Sequence, residues 1–262
     1  MNRADVSRYV DNLDLQLEER HRSNCPSCDG HNTFTVTRTT SGVLYNCYKA
    51  GCDLSGASGV AIRVSDMLHK ATKTEQEFVL PDYVVRNRPE IQAWATQWDL
   101  DANHFQLQYD VKENRVVFPV YHKHKIVDAT GRAISKQIAP KWKRYGTSSL
   151  AYTTGKGHIA VLVEDVISAA VVSLVDDSCM GMAILGTSLL SAHVGQLQEC
   201  TGIIVALDPD AAKKTLEFTR QLRGELPNTK VYALNLEDDL KYRRKHDIRL
   251  MKEKIEQFNA KN

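Results

Sequence analysis

Apolar positions follow two rhythms along the chain. Val6, Val10, Leu13 and Leu17 recur at helical spacing within residues 1–20, which predicts a short amphipathic helix. Two β-rich runs follow, 33–39 and 43–45, separated by Ser41-Gly42. Residues 54–59 are rich in Ser, Gly and Ala and read as flexible; 60–71 read as a helix, and a polar run to Pro81 places a boundary near residue 75. Residues 82–110 read as helical, with Trp94, Trp98 and Leu100 on one face, whereas 115–121 (RVVFPVY) alternates like a strand and is followed by runs at 125–129 and 131–135. From residue 158 the pattern becomes strand–helix–strand. Strands are expected at 159–163, 182–185, 203–207 and 230–234, and helices at 166–175, 192–200, 211–222 and 247–258. Short, wholly apolar strands alternating with helices predict a parallel α/β sheet.

Charge changes this picture. The 262 residues carry 34 Lys+Arg against 32 Asp+Glu, a net charge of +2, but the two signs are segregated. Residues 112–145 hold nine basic and two acidic residues; 159–212 hold seven carboxylates and no Lys or Arg. A basic stripe beside an acidic patch suits a polyanionic partner that net charge conceals. The start lacks the apolar stretch of a signal peptide, and the longest uncharged run, 178–198, is broken by Ser, Thr, His, Gln and Gly. A cytoplasmic protein with no membrane partner is expected.

Four of the six cysteines stand as Cys25-x-x-Cys28 and Cys47-x-x-x-x-Cys52. Two thiolate pairs joined by a hairpin-length loop suit one tetrahedral structural zinc ion, with His31 as a substitute ligand if the wider second knuckle misfits. Cys179 and Cys200 read as buried, inert thiols. Glu164 follows the strand IAVLV, Asp208 and Asp210 follow IIVAL, and Glu237-Asp238-Asp239 follow VYALNL. Ligands bind at the carboxyl ends of parallel strands, so these acids can converge on Mg²⁺. The competing reading makes Asp210 a helix cap and the others solvated loop acids. In the basic segment Arg132, Lys136, Lys141, Lys143 and Arg144 interleave with Trp142 and Tyr145, a pattern that pairs phosphates and stacks bases. Gly186-Thr187 after a strand is a weaker phosphate-binding candidate.

The runs VLVEDVISA, AILGTSLL and IIVALDPDAAKK resemble the TOPRIM domain of primases, type IA and II topoisomerases and related nucleases. RVVFPVY, ATGRAIS and APKWKRYG upstream resemble the basic half of the RNA-polymerase core of bacterial and bacteriophage primases, and the four-cysteine ribbon ahead completes the order of a phage-type primase. The resemblance implies an α/β fold in three parts: helix, zinc ribbon and linker over 1–75, a basic α+β subdomain over 76–157, and a TOPRIM subdomain with C-terminal helix over 158–262. It implies Glu164, Asp208 and Asp210 as catalytic residues, joined by Asp238 around two or more Mg²⁺ or Mn²⁺ ions, with Arg132 and Lys141 near the incoming nucleotide or template. Two positions depart from the family pattern. Asp165 stands where Gly normally follows the glutamate, and Ser168 where some phage primases carry an acid.

The implied function is synthesis of short RNA primers from ribonucleoside triphosphates on a single-stranded DNA template, in the bacterial host cytoplasm if phage-encoded. Gly155-Lys156 is followed by Gly157 and does not make a nucleotide-binding P-loop, so a separate replicative helicase is the expected partner. Two alternatives remain: a non-catalytic zinc/TOPRIM recombination mediator that binds DNA, and a TOPRIM nuclease. A topoisomerase would need more chain for strand passage.

Overall fold

Thr alternates with Phe34, Val36 and Arg38 along 34–39, and that period-2 pattern becomes a central strand of an antiparallel sheet. The computed structural model describes residues 3–16, 19–39, 42–58 and 78–259, in two units, Met1–Gln76 and Glu77–Asn262. In the first, helix α1 (Arg3–Asp11) precedes β1 (Arg20–Ser23), β2 (Phe34–Thr39), β3 (Gly42–Cys47) and β4 (Ser55–Ser58), which pair in that order. Val6 and Val10, one turn apart on α1, are fully buried in a core with Phe34, Val36, Val43 and Tyr45. The helix stops at Asp11, short of the expected residue 20. The chain then turns, with the Gln16 amide donating to the Glu19 carboxylate at 2.7 Å; Leu17 lies outside the described residues.

Residues 55–58, which read as flexible, form the edge strand β4. Strand pairing there uses the backbone, which leaves no apolar signature, and small residues are required because a Cβ on Gly56 would meet the Tyr45 hydroxyl at 2.5 Å. The helix expected over 60–71 and the polar run after it, up to residue 77, lie outside the described residues.

In the second unit, β5 (Val84–Val85), β6 (Gln108–Asp110), β7 (Arg115–His122), β8 (Lys125–Ala133) and β9 (Trp142–Arg144) form a five-stranded sheet, antiparallel throughout and in sequence order. The expected helix over 82–110 shortens to α2 (Pro89–Thr96), flanked by β5 and β6. Pro89 starts it, and Asp99 and Gln106, both with φ near +50°, turn the chain after it. The runs at 125–129 and 131–135 are one strand, β8.

The second sheet contains β10 (Tyr152–Thr154), β11 (Ile159–Val163), β12 (Cys179–Ala183), β13 (Gly202–Val205) and β14 (Lys230–Ala233), in the order β10-β12-β11-β13-β14. β11 to β14 are parallel, as the run of short apolar strands alternating with helices predicts, although β14 opens on the exposed Lys230, and β10 pairs antiparallel at one edge. Helices α3 (Val166–Val175), α4 (Ser191–Leu197), α5 (Ala212–Glu225) and α6 (Lys245–Asn259) complete the unit. One buried core runs from Trp94 of α2 and Phe118 of the first sheet to Val161, Val163 and Ile204 of the second, with the Phe118 and Tyr152 rings edge-on at 5.9 Å. Leu162, Ile203, Val205 and Leu222 fill a second cluster. Among the described residues, no helix is long and apolar enough to cross a membrane.

Candidate metal centres and the charged cleft

In the N-terminal unit the four cysteines come together. Cys25 Sγ lies 3.9 Å from Cys52 Sγ, Cys28 Sγ lies 3.8 Å from Cys47 Sγ, and all four sulfurs lie within 4.8 Å of one another. Thiolates about 2.3 Å from a tetrahedral zinc ion are roughly 3.8 Å apart, so this set fits zinc and is far too open for disulfides. The longer second knuckle closes because Gly51, at φ +80°, supplies a left-handed turn before Cys52. The backbone amides of Ser27 and Lys49 point at Cys25 and Cys47 Sγ, at 3.4 and 3.5 Å. Burial pushes the Cys47 thiol up, but the Thr33 hydroxyl, the Lys49 amide and the neighbouring thiols outweigh it and bring it down to about 7, which favours a metal-binding thiolate. His31 is exposed and stands outside the cysteine group.

The second cluster lies at the carboxyl edge of the parallel sheet. Asp165 follows β11 and caps α3, accepting hydrogen bonds from the Ile167 and Ser168 amides at 2.9 and 3.1 Å. Asp208 stands three residues beyond the end of β13. Asp239, in the loop after β14, precedes a one-turn helix, Leu240–Tyr242. Carboxylate oxygens of these three residues lie within 4.8 Å of one another. The buried Asp247 at the start of α6 accepts from the Glu237 and Asp238 amides at 2.9 and 3.1 Å and so folds this loop back toward the sheet.

Among the carboxylates expected from sequence, Asp208 joins the cluster and Asp238 does not. Asp238 turns instead to Arg244, 3.2 Å away, and its neighbour Asp239 takes the inward place. Glu164 and Asp210 lie outside the set of three; Glu164 acts on Asp208, and Asp210 acts on Glu164. Burial pushes the Glu164 carboxyl up, Lys214 opposes, and Asp210, Asp239 and Asp165 add to the rise. The Asp208 carboxyl is pushed up to about 7 by burial and then by Asp239 and Glu164. Carboxylates crowded this tightly hold protons unless a cation is supplied, so this donor set of hard oxygens fits Mg²⁺ or Mn²⁺.

Lys241, which the sequence reading missed, is the cation already present. Its ammonium, with 6% of the side chain exposed, donates to Asp165 Oδ2 at 2.8 Å and to Asp239 Oδ2. Burial alone would push it down, but the two carboxylates win and hold it well above the usual lysine range. A lone lysine two residues from an acidic run carries no sequence signature of such a role.

The basic residues separate into two groups. Lys143 pairs with Glu113, and Arg144 pairs with the fully buried Asp128 at 2.5 Å; both pairs hold the first sheet together. Lys136 is exposed in the loop between β8 and β9. Arg132 and Lys141 have no ion-pair partner among the described residues. Burial pushes both down; the field of Asp165 pulls each back up, that of Asp239 also acts on Lys141, and Arg132 and Lys241 depress Lys141 further. Arg132 also lies over the Trp142 ring, 5.2 Å from its centre. Cations left under-compensated beside a carboxylate cluster make a charge arrangement suited to a metal-bound polyphosphate. Gly186-Thr187 lies in the loop after β12, on the same edge of the sheet. Burial raises the Cys179 and Cys200 thiols to about 12 and about 11, so neither is a thiolate at neutral pH.

The Asp208 shift has a measurable consequence. A carboxyl near 4 in the unfolded chain and about 7 in the folded one makes the metal-free fold bind the extra proton below pH 7. The stability this contributes is complete below about pH 4 and is lost as pH rises through 7. Half-exposure weakens the effect. The expected result is that Tm of zinc-loaded, Mg²⁺-free protein falls by a few degrees between pH 6 and 8, and that Asp208→Asn flattens this slope. A calorimetric Tm that rises over that interval would contradict it.

No protein-family model and no curated protein matches the chain. Eleven solved chains do. The DnaG primase catalytic domain bound to single-stranded DNA is 16% identical with a TM-score of 0.51, over 64% of this chain and 74% of that one. The zinc-binding and RNA polymerase domains of the Aquifex aeolicus primase align over 93% of this chain and 82% of that one, at 16% identity and a TM-score of 0.48. The RNA polymerase domain of Mycobacterium tuberculosis DnaG aligns over 63% and 74%, at 16% and 0.48. The first of these likenesses shows the fold: a mixed α/β primase core, as the sequence resemblance implied.

Proposed function

We propose that the protein is a DNA primase that joins ribonucleotides on a single-stranded DNA template, in phage replication beside a separate helicase. The observation that carries this reading is the pairing, on a primase-core fold, of the Asp165–Asp208–Asp239 cluster with the uncompensated cations Arg132 and Lys141. Asp208 and Asp239, with Glu164 and Asp210 beside them, would hold the divalent metal. When bound, that metal neutralises the triphosphate and makes the attacking 3′-hydroxyl more acidic. Arg132 and Lys141 bind the triphosphate oxygens, and Trp142 fixes the Arg132 guanidinium. Glu164 either completes the metal shell or accepts the 3′-hydroxyl proton, a role that its raised, half-buried carboxyl supports. The 3′-oxygen then bonds to the α-phosphorus, the α–β phosphoanhydride breaks, and pyrophosphate leaves. The four cysteines would hold zinc in a ribbon that helps bind the template.

The experiment is incubation of zinc-loaded protein with single-stranded DNA, Mg²⁺ and labelled ribonucleotides. Short oligoribonucleotides are the expected product. Nicked DNA would instead identify a nuclease, and bound but unaltered DNA a recombination mediator; either outcome removes the primase reading.

A further inference from the structure

A buried ammonium inside a carboxylate cluster takes up positions that a metal would otherwise use. The Asp165 carboxylate is fully engaged: Oδ1 accepts from the Ile167 and Ser168 amides, and Oδ2 accepts from Lys241 at 2.8 Å and from the Ser168 hydroxyl at 3.4 Å. Asp239 gives Oδ2 to the same ammonium. Lys241 thus bridges Asp165 and Asp239, as a divalent ion shared by those two carboxylates would. It is fixed there by the Leu240–Tyr242 turn that Asp239 itself begins. Asp208 makes no hydrogen bond through its carboxylate among the described residues, and Glu164 and Asp210 stand beside it. One ion can be served by these groups and the remaining Asp239 oxygen. Two-metal sites place their ions about 3.5–4 Å apart, and here the second position is filled by an ammonium tethered to the chain. A tethered occupant competes with free ions at an effective concentration set by its short tether. Asp165, where the family pattern has glycine, adds the negative charge, and Lys241 answers it.

We infer that Lys241 stands in for a second divalent ion, so that the acidic site takes one Mg²⁺ or Mn²⁺ where the sequence resemblance implies two or more. The inference rests on the acidic cluster being the metal site proposed above. Its readout is stoichiometry. Zinc-loaded protein is titrated with Mn²⁺ by calorimetry and by electron paramagnetic resonance, with Asp208→Asn as the blank for ions bound elsewhere. The expected result is one Mn²⁺ per chain with the spectrum of an isolated ion. Lys241→Met, which keeps the stem and removes the charge, is expected to bind two and to show the spin coupling of a close pair.

Two coupled ions in the wild-type protein would overturn the inference and leave the metal site standing. No ion above the blank would overturn both. A folded Lys241→Met protein that still binds one ion would also overturn it. If that variant fails to fold, the wild-type stoichiometry alone still decides.

Discussion

Asp208→Ala is expected to reduce Mg²⁺-dependent primer synthesis by about a thousandfold or more while the protein stays folded. The carboxylate lies at the meeting point of the cluster, within 4.8 Å of both Asp165 and Asp239, and is the one of the three that no lysine occupies. Losing it would remove the principal free ligand of the proposed metal. Charge stabilisation by a bound metal supplies several kcal/mol of the barrier reduction, and about 4 kcal/mol corresponds to roughly a thousandfold in rate. The fold does not depend on it: the carboxylate is crowded, half-exposed and costly to ionise, so its removal relieves repulsion and leaves the core untouched. The measurement is the yield of oligoribonucleotides on single-stranded DNA, alongside a calorimetric Tm. Unchanged synthesis would sink the assignment. Asp239→Ala and Asp238→Ala sharpen the test. The first should be nearly as damaging as Asp208→Ala, whereas the second, which loses a half-exposed pair with Arg244 and a hydrogen bond from the Asp239 amide, should stay within about 1–2 kcal/mol of wild type.

That contrast marks where the sequence stops being legible. Short apolar strands alternating with helices announced a parallel sheet, and the rule that ligands gather at strand carboxyl ends put the acids on one edge. Within Glu237-Asp238-Asp239, however, composition cannot say which side chain turns inward. The choice is made by the buried Asp247, which catches two backbone amides ten and nine residues back along the chain, and by the turn that Asp239 begins. Lys241 was invisible for the same reason: its role exists only where Asp165 and Asp239, 74 residues apart, are brought together. The basic stripe was legible as a stripe but not residue by residue. Lys143 and Arg144 face Glu113 and Asp128 within their own sheet, and only Arg132 and Lys141 feel the acidic cluster. Short strands such as β5, β6 and β10, two or three residues each, are set by backbone pairing with longer neighbours and leave little pattern to read.

Cys47→Ser is expected to cost the N-terminal unit its zinc and its fold. The apolar core there is small: Val6, Val10, Phe34, Val36, Val43 and Tyr45 carry most of it. Domains of this size seldom hold together on burial alone. In such modules metal binding is folding, worth about 10–16 kcal/mol for structural zinc in zinc-finger peptides. Cys47 matters at both levels. Its sulfur faces Cys28 at 3.8 Å, and β3, which it ends, pairs with both β2 and β4, so loss of the ligand loosens the middle of the sheet. A serine hydroxyl is a poor zinc ligand beside three thiolates. Zinc per chain, measured by elemental analysis, should fall from one to well below one, and amide protection in β2 and β3 should be lost. The second unit owes nothing to this ion: its core is continuous from Trp94 to Phe258 without a cysteine ligand. Its calorimetric transition and its Mn²⁺ binding should therefore survive in the same variant, while affinity for single-stranded DNA falls. Full zinc content with unchanged protection in β2 and β3 would refute the ribbon, and joint loss of both units would show that the acidic site depends on zinc for its fold.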